Sequence, residues 1–373
     1  MKKVAIATLY GEYNLGNKLQ NFAVEYLLRD LGCTPITLVT SMYQSPVQRC
    51  KYFLLGIMSA LPIWKDRRLI EHRMMKKRCK TIRRFSDEYL HYSRRIDYKK
   101  SDELKRLNAI YDLFITGSDQ VWGSFIDLDE KAFDYYFLKF ADFDKRGSLS
   151  PSLGRDTVPA EKRAEYEQAL NGIRWLSCRE NGMRKLIAEV TGRDAELLLD
   201  PTMAVPVNVW RDMESKPVYK TPCEYILDYR LGTNKDSTDL IVERISGKVG
   251  IGTVNIYDTS KENEIFEKTG PGEFLWLIDN ASLVVTDSFH GCVFSILFKK
   301  EFICIARSET SKSVNMSDRL ETLLTKFGLK NRLYNESVIV SKSISDYSFA
   351  DRIISDETDK IRNYIQKMIE EKD

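Results

Sequence analysis

From Leu283 to Ile305 the chain reads L-V-V-T-D-S-F-H-G-C-V-F-S-I-L-F-K-K-E-F-I-C-I, a pattern that few folds accommodate. Leu283, Val284 and Val285 are a short apolar run of buried-strand character. Thr286, Asp287 and Ser288 are residues that start helices, and Gly291 loosens the turn. Val293, Phe294, Ile296, Leu297 and Phe298 continue as a mostly apolar helix. Lys299 and Lys300 close it, where cations suit the helix dipole. Phe302 to Ile305 then returns as a strand. The unit is β-turn-α-β, and its turn falls at the carboxyl edge of a parallel sheet, where α/β proteins bind ligands. The helix amino terminus there attracts anions. His290, one of three histidines in the chain, stands in that turn and is the leading candidate for chemistry.

At 373 residues the chain suits two domains better than one, and with 43% hydrophobic residues it can bury a core in each. A net charge of +3 argues against nucleic acid as a partner. Seven cysteines, scattered and without a C-x-x-C pair, read as reduced thiols of a cytoplasmic protein and give neither a disulfide frame nor a zinc site. The apolar run from Val4 stops at Tyr10-Gly11-Glu12, too soon for a signal sequence, and the sequence has no apolar run of spanning length.

In order, Val4 to Leu9 predicts a strand, followed by a loop with Gly11, Asn14, Gly16 and Asn17, and a helix from about Lys18 to Leu31. That opening is doubly wound, but it carries neither G-x-G-x-x-G nor a P-loop, so dinucleotide or ATP binding is unsupported. Asn14 and Asn17 read equally well as helix caps. Pro35 to Val39 is the next strand. Tyr52 to Trp64 is apolar, and Lys65 to Arg84 holds ten basic residues against Asp66 and Glu71, with Ile70, Met74, Ile82, Phe85 and Tyr89 on one helical face. This reads either as a membrane-surface element or as a lid helix packed on the protein with a solvated basic face. Leu113 to Ile115 predicts a strand ending in the polar cluster Thr116 to Trp122. Gly147 to Gly154 reads as a loop, and Asn181 to Thr191 as a helix. Strands near Glu224 to Tyr229 and Val249 to Ile256 belong to a second unit. Ser317 to Phe327 and Asp351 to Lys372 are helices. No G-x-S-x-G elbow and no metal-ligand cluster is present. The residues alone support an anion-handling transferase, with His290, a helix amino terminus and Arg179 facing a crevice.

The segments N-L-G-N-K-L-Q-N (14–21), G-S-D-Q-V-W (117–122), S-C-R-E (177–180), L-D-P-T (199–202), P-G-E-F (271–274) and T-D-S-F-H-G (286–291) together resemble the polysaccharide pyruvyl transferase family, in family order over nearly the whole chain. The resemblance implies an α/β fold of two Rossmann-like domains facing across a cleft, as in GT-B glycosyltransferases. The expected units are an acceptor-side domain over 1–172 with an insert at about 43–100, a phosphoenolpyruvate-side domain over 173–345, and a C-terminal helix over 346–373. It implies transfer of pyruvate from phosphoenolpyruvate to two hydroxyls of one sugar in a surface or capsular polysaccharide precursor, free or linked to polyprenyl diphosphate, with no cofactor and no metal. His290 and Arg179, the arginine after the second domain's first strand, would hold phosphoenolpyruvate together with Ser288, Gly291 and a downstream base matching Lys312 or Arg307. Asn14, Asn17, Gln20, Ser118 and Gln120 would face the acceptor, and Asp119 joins His290 as a catalytic candidate. Asn17 stands where some members have an aspartate, and Ser288 where some have an arginine. A nucleotide-sugar glycosyltransferase and a non-catalytic sugar-binding relative remain the alternatives, and an anionic membrane surface is an expected partner of the insert.

Overall fold

A computed structural model describes residues 1–11, 14–40, 67–123, 126–127, 129–154, 157–232, 236–259, 262–306, 317–335 and 347–371. In chain order the strands are β1 (Lys3–Ala7), β2 (Thr34–Thr37), β3 (Leu113–Asp119), β4 (Arg146–Pro151), β5 (Ser177–Cys178), β6 (Glu196–Leu197), β7 (Ile226–Tyr229), β8 (Thr253–Asn255), β9 (Leu283–Thr286) and β10 (Phe302–Cys304). The helices of the first half are α1 (Leu15–Asp30), α2 (Arg67–Tyr89), α3 (Ser101–Ile110), α4 (Glu130–Tyr136), α5 (Arg163–Asn171) and α6 (Asn181–Thr191). Those of the second half are α7 (Val207–Asp212), α8 (Asp236–Val249), α9 (Glu264–Lys268), α10 (Pro271–Asp279), α11 (Phe289–Leu297), α12 (Ser317–Lys326) and α13 (Ser348–Glu370).

Two parallel sheets carry the architecture, in the orders β2-β1-β3-β4 and β10-β9-β7-β8. Parallel strands covered by helices on both faces need unbroken apolar runs. Accordingly Val4 to Ala7 on β1 and Leu283 to Thr286 on β9 are buried at every position. These are two Rossmann-like units, and the fold class expected from the sequence is the one observed. The stretch from Leu283 to Ile305 folds as anticipated, except that its helix begins at Phe289, so His290 lies in the first turn. Helix α1 begins earlier than its spacing suggests because Asn14 caps it, its Oδ1 accepting the Gly16 N–H at 2.9 Å.

The stretch Gly147 to Gly154, read as a loop, contains β4. Its small residues serve packing: a side chain on Gly147 would lie 2.6 Å from the Met368 sulfur. The serines turn their hydroxyls to buried partners. Ser148 Oγ donates to the Ser177 carbonyl at 3.2 Å, and Ser150 Oγ to the Leu199 carbonyl at 2.7 Å. Through these bonds, and the bridge between Gly147 and Trp175, β5 and β6 extend the first sheet. Arg179 therefore follows a strand tied to the first sheet, not one opening the second.

Phe22 of α1 meets Trp210 of α7 with ring centres 5.4 Å apart, and Trp210 meets Phe294 of α11 at 5.1 Å. One apolar core thus runs through both units, each fully buried large side chain contributing roughly 1.5–3 kcal/mol. Helix α13 crosses the junction, with Lys299 on Asp351 at 2.6 Å at one end and Lys360 Nζ on the Leu197 carbonyl at 2.7 Å further along.

The basic insert helix, α2, packs against the second unit. Met74, Ile82 and Phe85 are buried as its spacing predicts. Arg78, one turn from Met74 and from Ile82, is buried with them rather than on the solvated face. It donates to the Phe266 carbonyl at 2.7 Å and the Ile256 carbonyl at 3.2 Å, and stacks on Tyr257 and Phe266. Arg68, Lys76, Lys77, Lys80, Arg83 and Arg84 face outward. The segment Tyr52 to Trp64 lies outside the described residues. Among the described residues, no helix is long and apolar enough to cross a membrane.

Candidate active site

His290 is positioned by close packing from three sides. Gly291 lets α11 approach β9: any side chain there would overlap Thr286, whose Oγ1 donates to the Tyr229 carbonyl at 2.6 Å and accepts the Ser288 N–H at 3.0 Å. Asp287 points away and accepts the Leu231 and Gly232 N–H groups at 2.7 and 2.8 Å, fixing the neighbouring loop. From the first unit, Gly16 in the opening turn of α1 lies flat against the imidazole, and a Cβ on it would collide with Nδ1. The other ring nitrogen, Nε2, is buried without a hydrogen-bond partner and lies 3.7 Å from Asp200 Oδ2. Burial pulls the imidazole pKa below its ordinary value; Asp200 and Asp119 oppose this, and Arg179 and Arg319 reinforce it. The shift favours the neutral imidazole.

Around it stand two guanidinium groups and three carboxyls, all nearly closed off from solvent. Arg179 is 4% exposed, Arg319 4%, Asp119 6% and His290 5%. Arg179 donates to Asp200, lies 3.4 Å from Asp119 and 4.0 Å from Glu180, and rests on the Phe289 ring at 4.4 Å. Arg319 approaches Asp119 at 3.7 Å and the same ring at 5.9 Å. Burial would lower the Arg179 pKa, but Asp200, Asp119 and Glu180 hold it above the usual value. Burial likewise pushes against ionised Asp200, yet Arg179, with the Thr202 hydroxyl and N–H, keeps its carboxyl below the usual range. For Glu180 burial wins over Arg179, and its pKa is raised. Arg319 is delivered from α12, whose Asp318 accepts the Gly182 N–H at 2.9 Å and whose Thr322 accepts the Asn181 N–H at 3.3 Å.

Of the residues singled out in the sequence, His290, Arg179 and Asp119 converge here. Ser288 is buried at the helix start and Gly291 is the packing glycine. Ser118 and Gln20 are fully buried and bond to each other, the Ser118 N–H donating to Gln20 Oε1 at 3.1 Å. Gln20 also donates to Thr8 Oγ1 at 2.9 Å, so both hold the loop in place and present nothing to an acceptor. Asn14 is the cap, Asn17 has a buried Oδ1 without a hydrogen-bond partner beside Gly16, and Gln120 packs over Gly154. Lys312 and Arg307 lie outside the described residues. Among the described residues the downstream base that reaches the site is Arg319, which sequence spacing missed because a fold contact between α12 and α6 brings it there. Asp200 and Glu180 stood inside two of the quoted motifs, and a carboxyl at each strand end was the available signal.

Two buried guanidinium groups beside an imidazole are chemically suited to a small multiply charged anion and to proton transfer. No curated protein matches the chain in sequence. Among solved structures, it resembles the Anabaena protein HepE in complex with UDP and glucose at 10% identity, TM-score 0.52, covering 99% of both chains. It also resembles a Listeria monocytogenes protein described as a UDP-N-acetylglucosamine 2-epimerase at 11% identity, TM-score 0.50, covering 100% of this chain and 98% of that one. These likenesses establish the GT-B-type fold. The family model for polysaccharide pyruvyl transferase matches residues 14–309, spanning every site residue except Arg319. The chain belongs to the polysaccharide pyruvyl transferase family.

Proposed function

We propose that this protein transfers pyruvate from phosphoenolpyruvate to two hydroxyls of one sugar in a polysaccharide precursor, forming a cyclic ketal and phosphate. The observation that carries the reading is the pair Arg179 and Arg319, both buried near the Phe289 ring and both reaching Asp119, next to His290. Two planar forks suit a donor that bears a carboxylate and a phosphate on the same carbon. His290, neutral because it is buried, takes the proton of the attacking hydroxyl. General base help of this kind is worth ~10²–10⁴-fold. The guanidinium groups stabilise the departing phosphate.

A nucleotide-sugar transferase would bind its nucleotide at the carboxyl edge of the second sheet. There Asp287 already takes the Leu231 and Gly232 amides, and Arg230 is held by Asp228 at 2.6 Å and Asp239 at 2.8 Å. This speaks for the pyruvyl reading. The test is incubation with phosphoenolpyruvate and a panel of free and lipid-linked sugars, read by mass spectrometry and phosphate release. A ketal-bearing product is expected; sugar transfer from UDP-sugars without pyruvyl transfer would overturn the proposal.

The outward basic row of α2 favours lipid-linked acceptors at an anionic surface. Replacing Arg68, Lys76 and Lys80 with glutamine, and leaving buried Arg78 intact, is expected to abolish binding to anionic vesicles. Absence of wild-type binding at low salt would rule that partner out.

A further inference from the structure

The three carboxyls around Arg179 are not held alike. Asp200 has neutral donors of its own: the Thr202 N–H at 3.1 Å, the Thr202 hydroxyl at 2.7 Å and the Ser118 hydroxyl at 3.3 Å. Glu180 accepts the Ser152 hydroxyl at 2.8 Å and the Leu153 N–H at 3.0 Å. Both keep these bonds whatever Arg179 does. Asp119 differs. Among the described residues its carboxylate is held by the two guanidinium groups alone, at 3.4 Å from Arg179 and 3.7 Å from Arg319. Charge-assisted bonds are ordinarily ~2.7–2.9 Å, so neither contact is tight. The main chain beneath it is fixed: φ is 68°, and the Asp119 carbonyl accepts the Ser152 N–H at 2.8 Å and the Val121 N–H at 2.9 Å. The backbone of Asp119 is thus held by the fold, while its carboxylate is held only through the two arginines among the described residues.

From these contacts we infer that Asp119 is an exchangeable counter-ion: an anionic donor takes over Arg179 and Arg319, and Asp119 binds a proton from solvent in the same step. The inference rests on the pyruvyl-transfer reading for its chemical consequence. Once the donor's anionic group lies against both arginines, Asp119 faces a like charge without its cations, which favours the protonated acid. The other groups facing it are His290 on α11, and Asp200 and Glu180 across Arg179. None is a cation at pH 7, so none replaces what it loses.

The protonated carboxyl is then the acid that addition to an enol ester requires. Asp119 gives its proton to the methylene carbon, making it a methyl group, as the first hydroxyl oxygen bonds to C2 and loses its proton to His290. Phosphate leaves with the C–O electron pair and takes the proton from His290. The second hydroxyl closes the ring and its proton returns to Asp119. Two hydroxyl protons end on one methyl and one phosphate, and the site is restored.

Isothermal titration calorimetry in buffers of different ionisation enthalpy, with phosphoenolpyruvate and separately with inorganic phosphate, tests this on the whole protein. The wild type is expected to take up about one proton per anion bound at neutral pH. Asp119→Asn is expected to take up none, to bind either anion about 10-fold more tightly because no carboxylate competes, and to lose at least ~10²-fold in turnover. His290→Gln is expected to keep the uptake. Wild-type binding without proton uptake, unchanged uptake in Asp119→Asn, or uptake lost only in His290→Gln would each overturn the inference, as would failure of both anions to bind. Phosphate binding with uptake, when phosphoenolpyruvate does not bind, would uphold the exchange and sink the donor reading.

Discussion

Two buried arginines in this molecule have opposite fates. Arg78 is wholly buried in the seam between α2 and the second unit, where its Nη1 donates to two backbone carbonyls and its guanidinium stacks on two aromatic rings. Arg179 is buried to nearly the same degree but is ringed by carboxyls. A carbonyl cannot leave and cannot change charge, so Arg78 is a permanent fastener. A carboxylate does both, so Arg179 remains open to exchange with another anion. Burial alone therefore does not tell a structural cation from a working one. The charge of its partners does.

The sharpest attempt to break this contrast is at the imidazole. His290→Ala is expected to lower turnover by ~10²–10⁴-fold while thermal unfolding stays close to wild type. A fall of only a few-fold would remove the base from the site. Next, Arg179→Lys keeps the charge and loses the planar fork, so the apparent KM for phosphoenolpyruvate is expected to rise ~10-fold or more, read by steady-state kinetics. Arg78→Ala should do the reverse. Two buried carbonyls lose their donor and the rings their packing, at least ~2 kcal/mol in denaturant unfolding, with KM unchanged. If Arg78→Ala raised KM and spared stability, the contrast would fall.

The mildest test concerns an acid away from both regions. Burial, followed by the neighbouring Asp279, pushes the Glu214 carboxyl up to about 7 from an ordinary 4.5. Between those values the unfolded chain sheds this proton more readily than the folded one, so the contribution of Glu214 to stability declines as pH rises from 4.5 to about 7 and then levels off. Glu214→Gln should flatten that slope in thermal melts taken across the window. An unchanged slope would assign it to other groups.

Much of the fold was legible because parallel strands are buried on both faces and advertise themselves as apolar runs, as Leu283 to Val285 did. What was misread shows where local signals fail. Gly147 to Pro151 is a strand that looks like a loop, since its small and hydroxyl residues answer to Met368, Ser177 and Leu199, all distant in sequence. In the site, His290 and Arg179 stood beside strand ends and were found by position. Arg319 was passed over because its place depends on Asp318 and Thr322 docking against residues 181 and 182, a contact that no spacing rule encodes. Gln20 and Ser118 carried the right chemistry and the wrong orientation: their polar groups bond to one another.

The contact between Gly16 and His290 also bears on how such proteins diversify. Each half carries its own sheet, an arrangement that invites exchange of one half between relatives. Yet the imidazole of one half rests on a position in the other that has room for hydrogen and nothing larger. A donor of the first half that brings alanine at this position would arrive well folded and catalytically mute. Recombination across this seam is therefore constrained to inherit a single hydrogen atom, and chimeras built for new specificity should be screened at that position first.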